Sequence, residues 1–510
     1  MTAPAGAPAV EAIETPWRRL DPRMLVVGPL GNLLGWLPVV VVLLVTGRGE
    51  GMRLWVAIGV TIAAVVAGVI RWRTTSYRIT GERVELRTGW LRRQRRSVPR
   101  DRIRTVDLTA RLLHRVFGLS VVRVSAAAGG QLENTGLSLD AVSTAEGERL
   151  RHELLDSAGP ADATAAPTEP EAAVQQLAAL DWSWIRFAPL TFSSLAGIGA
   201  VAAALFNLFD DLGVDPRDLD AVDAATDRLA EAPLWVGVAL VGSAILAIAV
   251  IGSMVLFAER WFDFRLTREP DGTLRVRRGL LTRRSLSVSE RRLRGVEISE
   301  PLLLRAGGGA QCRALSTGLS RDDQGGALQP PAPAAEARRV ASATLGEPPE
   351  QITGAVLRRH PRAARAAAAV RSLLAVPAIL AATWLLEVVL LGTGRLGWMG
   401  LLVLPPVAVL LALDAYRNLG HALTARYVVS RRGSLLRRSV ALQRAGVIGW
   451  RIRQSPLQRR AGLATLEAVT AAGAGGYAIP DLAAPDAVAL ADAALPGLLP
   501  RTSPPHTSEP

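Results

Sequence analysis

The stretch Gly89-Trp90-Leu91-Arg92-Arg93, followed by Leu112-Leu113-His114-Arg115 and Gly118, occurs three times in this chain. Its second copy reads Gly279-Leu280-Leu281-Thr282-Arg283-Arg284, then Leu302-Leu303-Leu304-Arg305 and Gly308. The third reads Gly433-Ser434-Leu435-Leu436-Arg437-Arg438, then Pro456-Leu457-Gln458-Arg459 and Gly462. In every copy the later arginine lies 26 residues beyond the opening glycine and the later glycine 29 (89 to 115 and 118, 279 to 305 and 308, 433 to 459 and 462). Apolar positions keep step: Val98, Val288 and Leu442, then Ile103, Leu293 and Val447. Such self-similarity predicts three copies of one structural module. Around the first copy, short alternating runs from Tyr77, Arg83, Arg95, Ile103 and Val121, with a last one near Gly136–Leu139, predict strands. Ser143 to Leu155 predicts a helix, with Ser143 as N-cap and Glu146 three residues on. Each module is therefore expected to be a small, partly open β-barrel closed by one helix.

Two apolar blocks precede each copy: Met24–Thr46 and Leu54–Ile70, about Ile185–Leu208 and Leu234–Phe257, and about Ser372–Leu391 and Leu396–Ala415. A spanning helix needs about 20 apolar residues, so the expected fold class is a membrane protein, α plus β. Three transmembrane helical hairpins (six helices) would each lead into a β-barrel module with a C-terminal helix. Pro405-Pro406 is expected to kink or break its helix. Arginines cluster at the chain ends of the hairpins and are scarce in their turns, which places the N-terminus and all three modules in the cytoplasm. The loop after the third apolar block, rich in aspartate from Asp210 to Asp227, would lie outside. The expected boundaries are an N-terminal segment 1–23, hairpins 24–72, 185–258 and 372–416, and modules 73–157, 259–345 and 417–496. Residues 158–184 and 346–371 would link them, and 497–510 would be a disordered tail.

The net charge is +14, and its basic side is all arginine. A basic excess suits nucleic acid or an anionic membrane surface. The apolar blocks favour the membrane, and the modules lack the interleaved surface aromatics of a nucleic-acid binder. The single cysteine, Cys312, cannot form an intramolecular disulfide and argues against a cysteine-rich zinc site.

A helical hairpin ahead of a β-rich module with a basic turn and a Leu-x-Arg-x-x-Gly segment resembles the bacterial pleckstrin-homology-like, membrane-flanked family, in particular its YdbT-like, three-module members. Tyr77-Arg78-Ile79-Thr80, Gly89–Arg93, Arg100–Val106 and Leu112–Gly118 carry the likeness, with equivalents from Phe264, Gly279 and Leu302 and from Tyr427, Gly433 and Leu457. The resemblance implies a PH-like barrel capped by a helix, in a membrane protein with no established enzymatic activity, and it supplies no ligand-binding residues. The third copy departs from the others at Trp450-Arg451-Ile452, where they read Val106-Asp107-Leu108 and Val296-Glu297-Ile298. An acidic position has become basic, which sets module 3 apart from any function that needs three equivalent modules.

The candidate binding residues for anionic lipid or a partner are the arginine turns: Arg92, Arg93, Arg95, Arg96, Arg283, Arg284, Arg437 and Arg438. A basic side chain near an anionic leaflet contributes about 1 kcal/mol. The plainer reading, favoured here, is a solvated hairpin that obeys the positive-inside bias. Arg115, Arg305 and Arg459 recur in register and are expected to make a structural pairing. The glycine runs Gly129-Gly130 and Gly307–Gly309 lack the Lys-Ser/Thr of a phosphate loop and read as turns. His114, His152, His360, His421 and His506 show no metal-ligand spacing, and no nucleophile elbow or zinc-protease helix occurs. No catalytic residue, metal or cofactor is expected. The expected function is a non-enzymatic membrane scaffold presenting three cytoplasmic PH-like modules to protein, peptide or anionic lipid, in a bacterial plasma membrane. The alternative is a transporter or lipid-handling protein with a pathway through the six helices.

Overall fold

The computed structural model describes residues 16–28, 72–90, 93–100, 103–126, 137–156, 174–191, 234–317, 326–391 and 396–497, with Leu319 and some single positions between 30 and 70. Most of hairpin 1, residues 192–233 and the tail after 497 lie outside the described residues. The chain forms two compact units, one holding module 1 and the other most of modules 2 and 3.

In module 1, β2 (Ser76–Ile79), β3 (Arg83–Thr88) and β4 (Gln94–Pro99) form an antiparallel sheet, which β1 (Arg18–Arg19) extends. The strands β5 (Ile103–Ala110), β6 (Leu119–Ala126) and β7 (Leu137–Ser143) follow in antiparallel order, with the short α1 (Leu112–Val116) between the first two. The closing helix α2 (Thr144–Asp156) is capped as expected, the Glu146 N–H donating to Ser143 Oγ at 3.3 Å. It buries Leu150 and Leu154 against Val84, Ile103, Val106 and Val122, in an apolar core to which each strand from β2 to β7 contributes. Leu20 joins that core, and Trp72 Nε1 donates to the Leu20 carbonyl at 2.9 Å. Trp17 lies beneath the Arg87 and Arg78 guanidinium groups, 3.9 and 4.9 Å from its ring centre.

Module 2 begins before its apolar blocks. The strand β8 (Gln175–Ala179) pairs with β9 (Arg265–Arg268), which pairs with β10 (Thr273–Arg278). Between β8 and the membrane block, Trp182–Leu190 forms a 3-10 helix that buries Trp184 and Phe187. The apolar block read from Ile185 thus starts as a buried 3-10 segment. The helix α3 (Leu234–Trp261) follows, then β11 (Arg283–Ser289), β12 (Leu293–Pro301), α4 (Leu302–Ala306), β13 (Gly309–Ser316), β14 (Ala332–Pro333) and α5 (Ala334–Leu345). The strand β14 has two residues where β7 has seven, so module 2 has nearly lost this strand. Gly307 and Gly309 are not merely a turn. A Cβ on Gly309 would stand 2.7 Å from Phe187, and one on Gly307 2.6 Å from Leu190, so the glycines admit the 3-10 helix.

The helix α6 runs from Arg362 to Leu391, starting inside the segment read as a basic linker, and packs against α7 (Leu396–Arg417). Helix α7 runs unbroken through Pro405 and Pro406. Adjacent prolines remove two N–H donors but keep helical φ, and α6 lies alongside. Module 3 then comprises β15 (Gly420–Leu423), β16 (Tyr427–Arg432), β17 (Leu436–Gln443), β18 (Gly449–Arg453), α8 (Pro456–Arg460), β19 (Leu463–Val469), β20 (Gly476–Ala483) and α9 (Ala484–Ala494). Here too a residue upstream of the hairpin closes the sheet: Arg358 and His421 form a bridge, with N···O distances of 2.7 and 3.3 Å.

Two described helices are long and apolar enough to cross a membrane: Gly242–Trp261 within α3, mean hydropathy 2.0, and Arg362–Ala382 within α6, mean hydropathy 1.5. On α3, Leu240, Ile245, Leu246, Ile248, Ile251 and Val255 are each more than half exposed, an apolar surface that water would not tolerate.

Modules 2 and 3 share a sheet. The strand β12 pairs on one side with β13 and on the other with β17, giving the order β14-β13-β12-β17-β16-β15. Gly295 permits the approach, since a Cβ there would stand 2.1 Å from the Ala441 carbonyl oxygen. Tyr427, Val429 and Ala441 of module 3 belong to the core of module 2.

Candidate functional site

Along the β12–β17 seam, side chains alternate between two faces. Glu300 is 4% exposed and accepts from Arg437 Nε on one face, where Arg338, Arg431 and Thr353 complete a small cleft. Glu297, Ser299 and Pro301 point to the other face with Arg438, whose Nε lies 3.5 Å from Glu297 Oε1. The adjacent arginines Arg437 and Arg438 thus part company: one closes a buried ion pair, the other lines a cavity.

That cavity holds about 400 Å³ beside the C-terminal end of α3. Its charged lining is Arg260, Arg313 and Arg438 against Glu259 and Glu297, three cations to two anions. Leu256, Phe257 and Trp261 supply an apolar wall. Gln329 is 1% exposed, and neither its amide oxygen nor its amide nitrogen has a hydrogen-bond partner in the protein. A buried amide left so costs about 1–3 kcal/mol, a cost that a polar ligand group in the cavity would remove. Sequence reasoning missed Gln329, because only the near-loss of β14 brings it to this place.

The other candidate arginines take varied positions. Arg92 lies outside the described residues, and Arg93 and Arg96 are exposed. Arg95 donates to Glu85 at 2.8 Å. Burial pushes the Glu85 carboxyl up, but hydrogen bonds from Arg78 and Arg95 outweigh it and hold the group below the usual carboxylate range. Arg96 lines a groove of about 590 Å³ with Ile70, Trp90 and Asp140. Arg283 is exposed and Arg284 half-buried. Arg305 makes the kind of structural pairing expected of its register, donating to Asp414 at 2.8 Å while Ser434 Oγ donates to the same oxygen at 2.9 Å.

The departure at Arg451 has a partner. In register across the sheet, Asp107 faces Arg123, Glu297 faces Arg313, and Arg451 faces Glu467. Both members have exchanged sign, and Arg453 adds a 3.0 Å contact to Glu467. Two histidines that are 61 residues apart also meet. His421 Nδ1 lies 3.2 Å from His360 Nε2, and His360 Nδ1 lies 3.2 Å from the Asp481 carbonyl. Burial, then the charges of His360 and Arg358, push His421 down to about 4, and burial lowers His360 as well. Asp481, 1% exposed, accepts from Arg371 and Gln458.

The bacterial PH domain family matches this chain at residues 32–158, 229–346 and 370–496. The chain is also similar to the UPF0699 transmembrane protein YdbT of Bacillus subtilis (strain 168), 24% identical over 285 residues. That alignment spans 54% of this chain and 56% of the relative. No solved structure matches. With three matched modules over most of its length, the chain belongs to the bacterial PH domain family.

Proposed function

We propose that this protein is a non-enzymatic, multi-pass scaffold of a bacterial plasma membrane, whose modules recognise anionic groups at the cytoplasmic leaflet. The observation that carries the reading is the module 2 cavity. It lies at the end of a helix long and apolar enough to span, is edged by three arginines, and holds a buried Gln329 with no partner. An apolar wall beside a cationic mouth suits a headgroup phosphate with part of its glycerol backbone. The name of the YdbT relative, a transmembrane protein, agrees with the membrane assignment. The ion pair that fixes Asp414 to Arg305 favours a scaffold over a pathway through the helices, since it occupies a carboxylate that a transporter would need free.

The test is a titration of the full-length chain in neutral detergent with short-chain phosphatidylglycerol, phosphatidylcholine and inorganic phosphate, read by tryptophan fluorescence. The reading expects saturable binding of phosphatidylglycerol, weakened about tenfold in Arg438→Ala, the loss of one charge-assisted hydrogen bond. Equal binding of the two lipids would contradict it. Binding of free phosphate alone would replace the lipid with a soluble anion.

A further inference from the structure

We propose that β18 of module 3 is a docking edge for an acidic, extended segment of another protein, which joins the β18-β19-β20 sheet as an added strand. The seam between modules 2 and 3 is the template. Shifted by the 154 residues that separate Gly308 from Gly462, the seam strand β12 becomes β18: Gly295 becomes Gly449, Glu297 becomes Arg451 and Ser299 becomes Arg453. On β12 this edge is taken by β17. β18 ends its three-stranded sheet, with no described strand on its outer side.

The edge is open. Ile448 is 64% exposed and Ile452 40%, and the side chains of Arg451 and Arg453 are more than half exposed. Gly449 is the most informative residue. At Gly295 the absence of a side chain is required, because the β17 backbone would meet a Cβ at 2.1 Å. At Gly449 an added Cβ would meet nothing within 4 Å. Glycine weakens a strand interior and marks close approach by another backbone, so module 3 keeps the seam glycine with no described strand beside it.

Charge chooses the occupant. The seam matches Glu297 and Glu300 on β12 with Arg438 and Arg437 on β17. On β18, Arg451 and Arg453 stand at the Glu297 and Ser299 positions while Glu300 becomes the neutral Gln454, so the matching strand carries a carboxylate at the position of Arg438. The reversal also excludes head-to-tail joining of two copies. Among the described strands, β4 also ends its own sheet and bears Arg95 and Arg96, and arginine facing arginine is repelled. Two arginines alone would serve to protect an edge from aggregation, but protection does not call for Gly449. Strand addition of this type takes its affinity from main-chain hydrogen bonds and its selectivity from alternate side chains.

The experiment uses the full-length chain in neutral detergent. The probe is a fluorescein-labelled peptide of residues 434–443 carrying Arg437→Glu and Arg438→Glu, with the unmodified peptide beside it, and binding is read by anisotropy. The charge-exchanged peptide is expected to bind about tenfold more tightly, the scale of a carboxylate at position 438 attracted by Arg451 and Arg453 where an arginine is repelled. It should also slow hydrogen exchange within residues 449–453. Gly449→Val, whose side chain enters open space, is expected to keep the melting temperature of the parent and to lose the charge-exchanged peptide by tenfold or more. Equal binding of the two peptides, unchanged binding by Gly449→Val, or no binding of the exchanged peptide would each overturn the proposal.

Discussion

The two seam glycines give opposite predictions for one substitution. In Gly295→Ala the new methyl group would lie 2.1 Å from the Ala441 carbonyl oxygen and 3.1 Å from Leu442 Cα. Carbon and oxygen rest at about 3.3 Å or more, so β12 and β17 must part by about 1 Å where Gly295 faces Leu442 and Val296 faces Ala441. Overpacking costs about 1–3 kcal/mol, and a weakened ladder hydrogen bond adds about 1 kcal/mol, for a total near 3 kcal/mol. Cys312 reports the damage. It is the single cysteine of the chain, is fully buried, and faces Ile298 across β12 and β13. Burial, then the Glu297 charge, push its thiol up to about 12, so the closed state is inert. Maleimide labelling then follows opening, and 3 kcal/mol corresponds to a rate about 100-fold faster. Gly449→Ala, entering open space, is expected to be neutral or to stabilise by up to about 1 kcal/mol, with labelling unchanged. If Gly295→Ala labels like the parent chain, the shared sheet is wrong.

Arg437→Ala should lower stability by about 3 kcal/mol, because it strips the partner from the buried Glu300; thermal unfolding of the solubilised chain measures it, and Glu300→Gln should cost less. Stability should fall as pH drops from the ordinary histidine value near 6.5 to about 4, since His421 and His360 stay neutral when folded and take protons on unfolding. Below about 4 the His421 contribution should be flat, and Phe substitution at both positions should remove this part of the pH dependence of unfolding. Gln329→Leu should raise the melting temperature without ligand, by removing a buried amide that has no partner, while weakening phosphatidylglycerol binding in the fluorescence titration.

Local features were legible in the sequence where neighbours decide them. The alternating runs from Tyr77 to Leu139 correspond to β2 through β7 within a few residues, and the Ser143 cap is present. Strands completed from far along the chain left no such mark. The pair Arg18–Arg19 is too short and too polar to alternate, and its partner Tyr77 lies 59 residues further along the chain (18 to 77). Gln175–Ala179 and Arg358 are hidden in the same way. The sharing of β12 with β17 was also silent, yet it divides the arginine turns into a buried pair at Arg437 and a cavity wall at Arg438. One signal was available and unused. The reversal at Arg451 is matched by Glu467, where the other copies have Arg123 and Arg313, and paired reversals point to contact across strands.

The most direct test of the account is where an anionic lipid touches the protein. A phosphatidylglycerol analogue with a photoreactive headgroup would be reconstituted with the full-length chain, crosslinked, and mapped by peptide mass spectrometry. Recognition in the module 2 cavity predicts crosslinks concentrated at residues 253–261 and 436–438, and their loss in Arg438→Ala with Gln329→Leu. Crosslinks spread over the exposed turns at Arg93, Arg96 and Arg283, and unchanged in that variant, would contradict it.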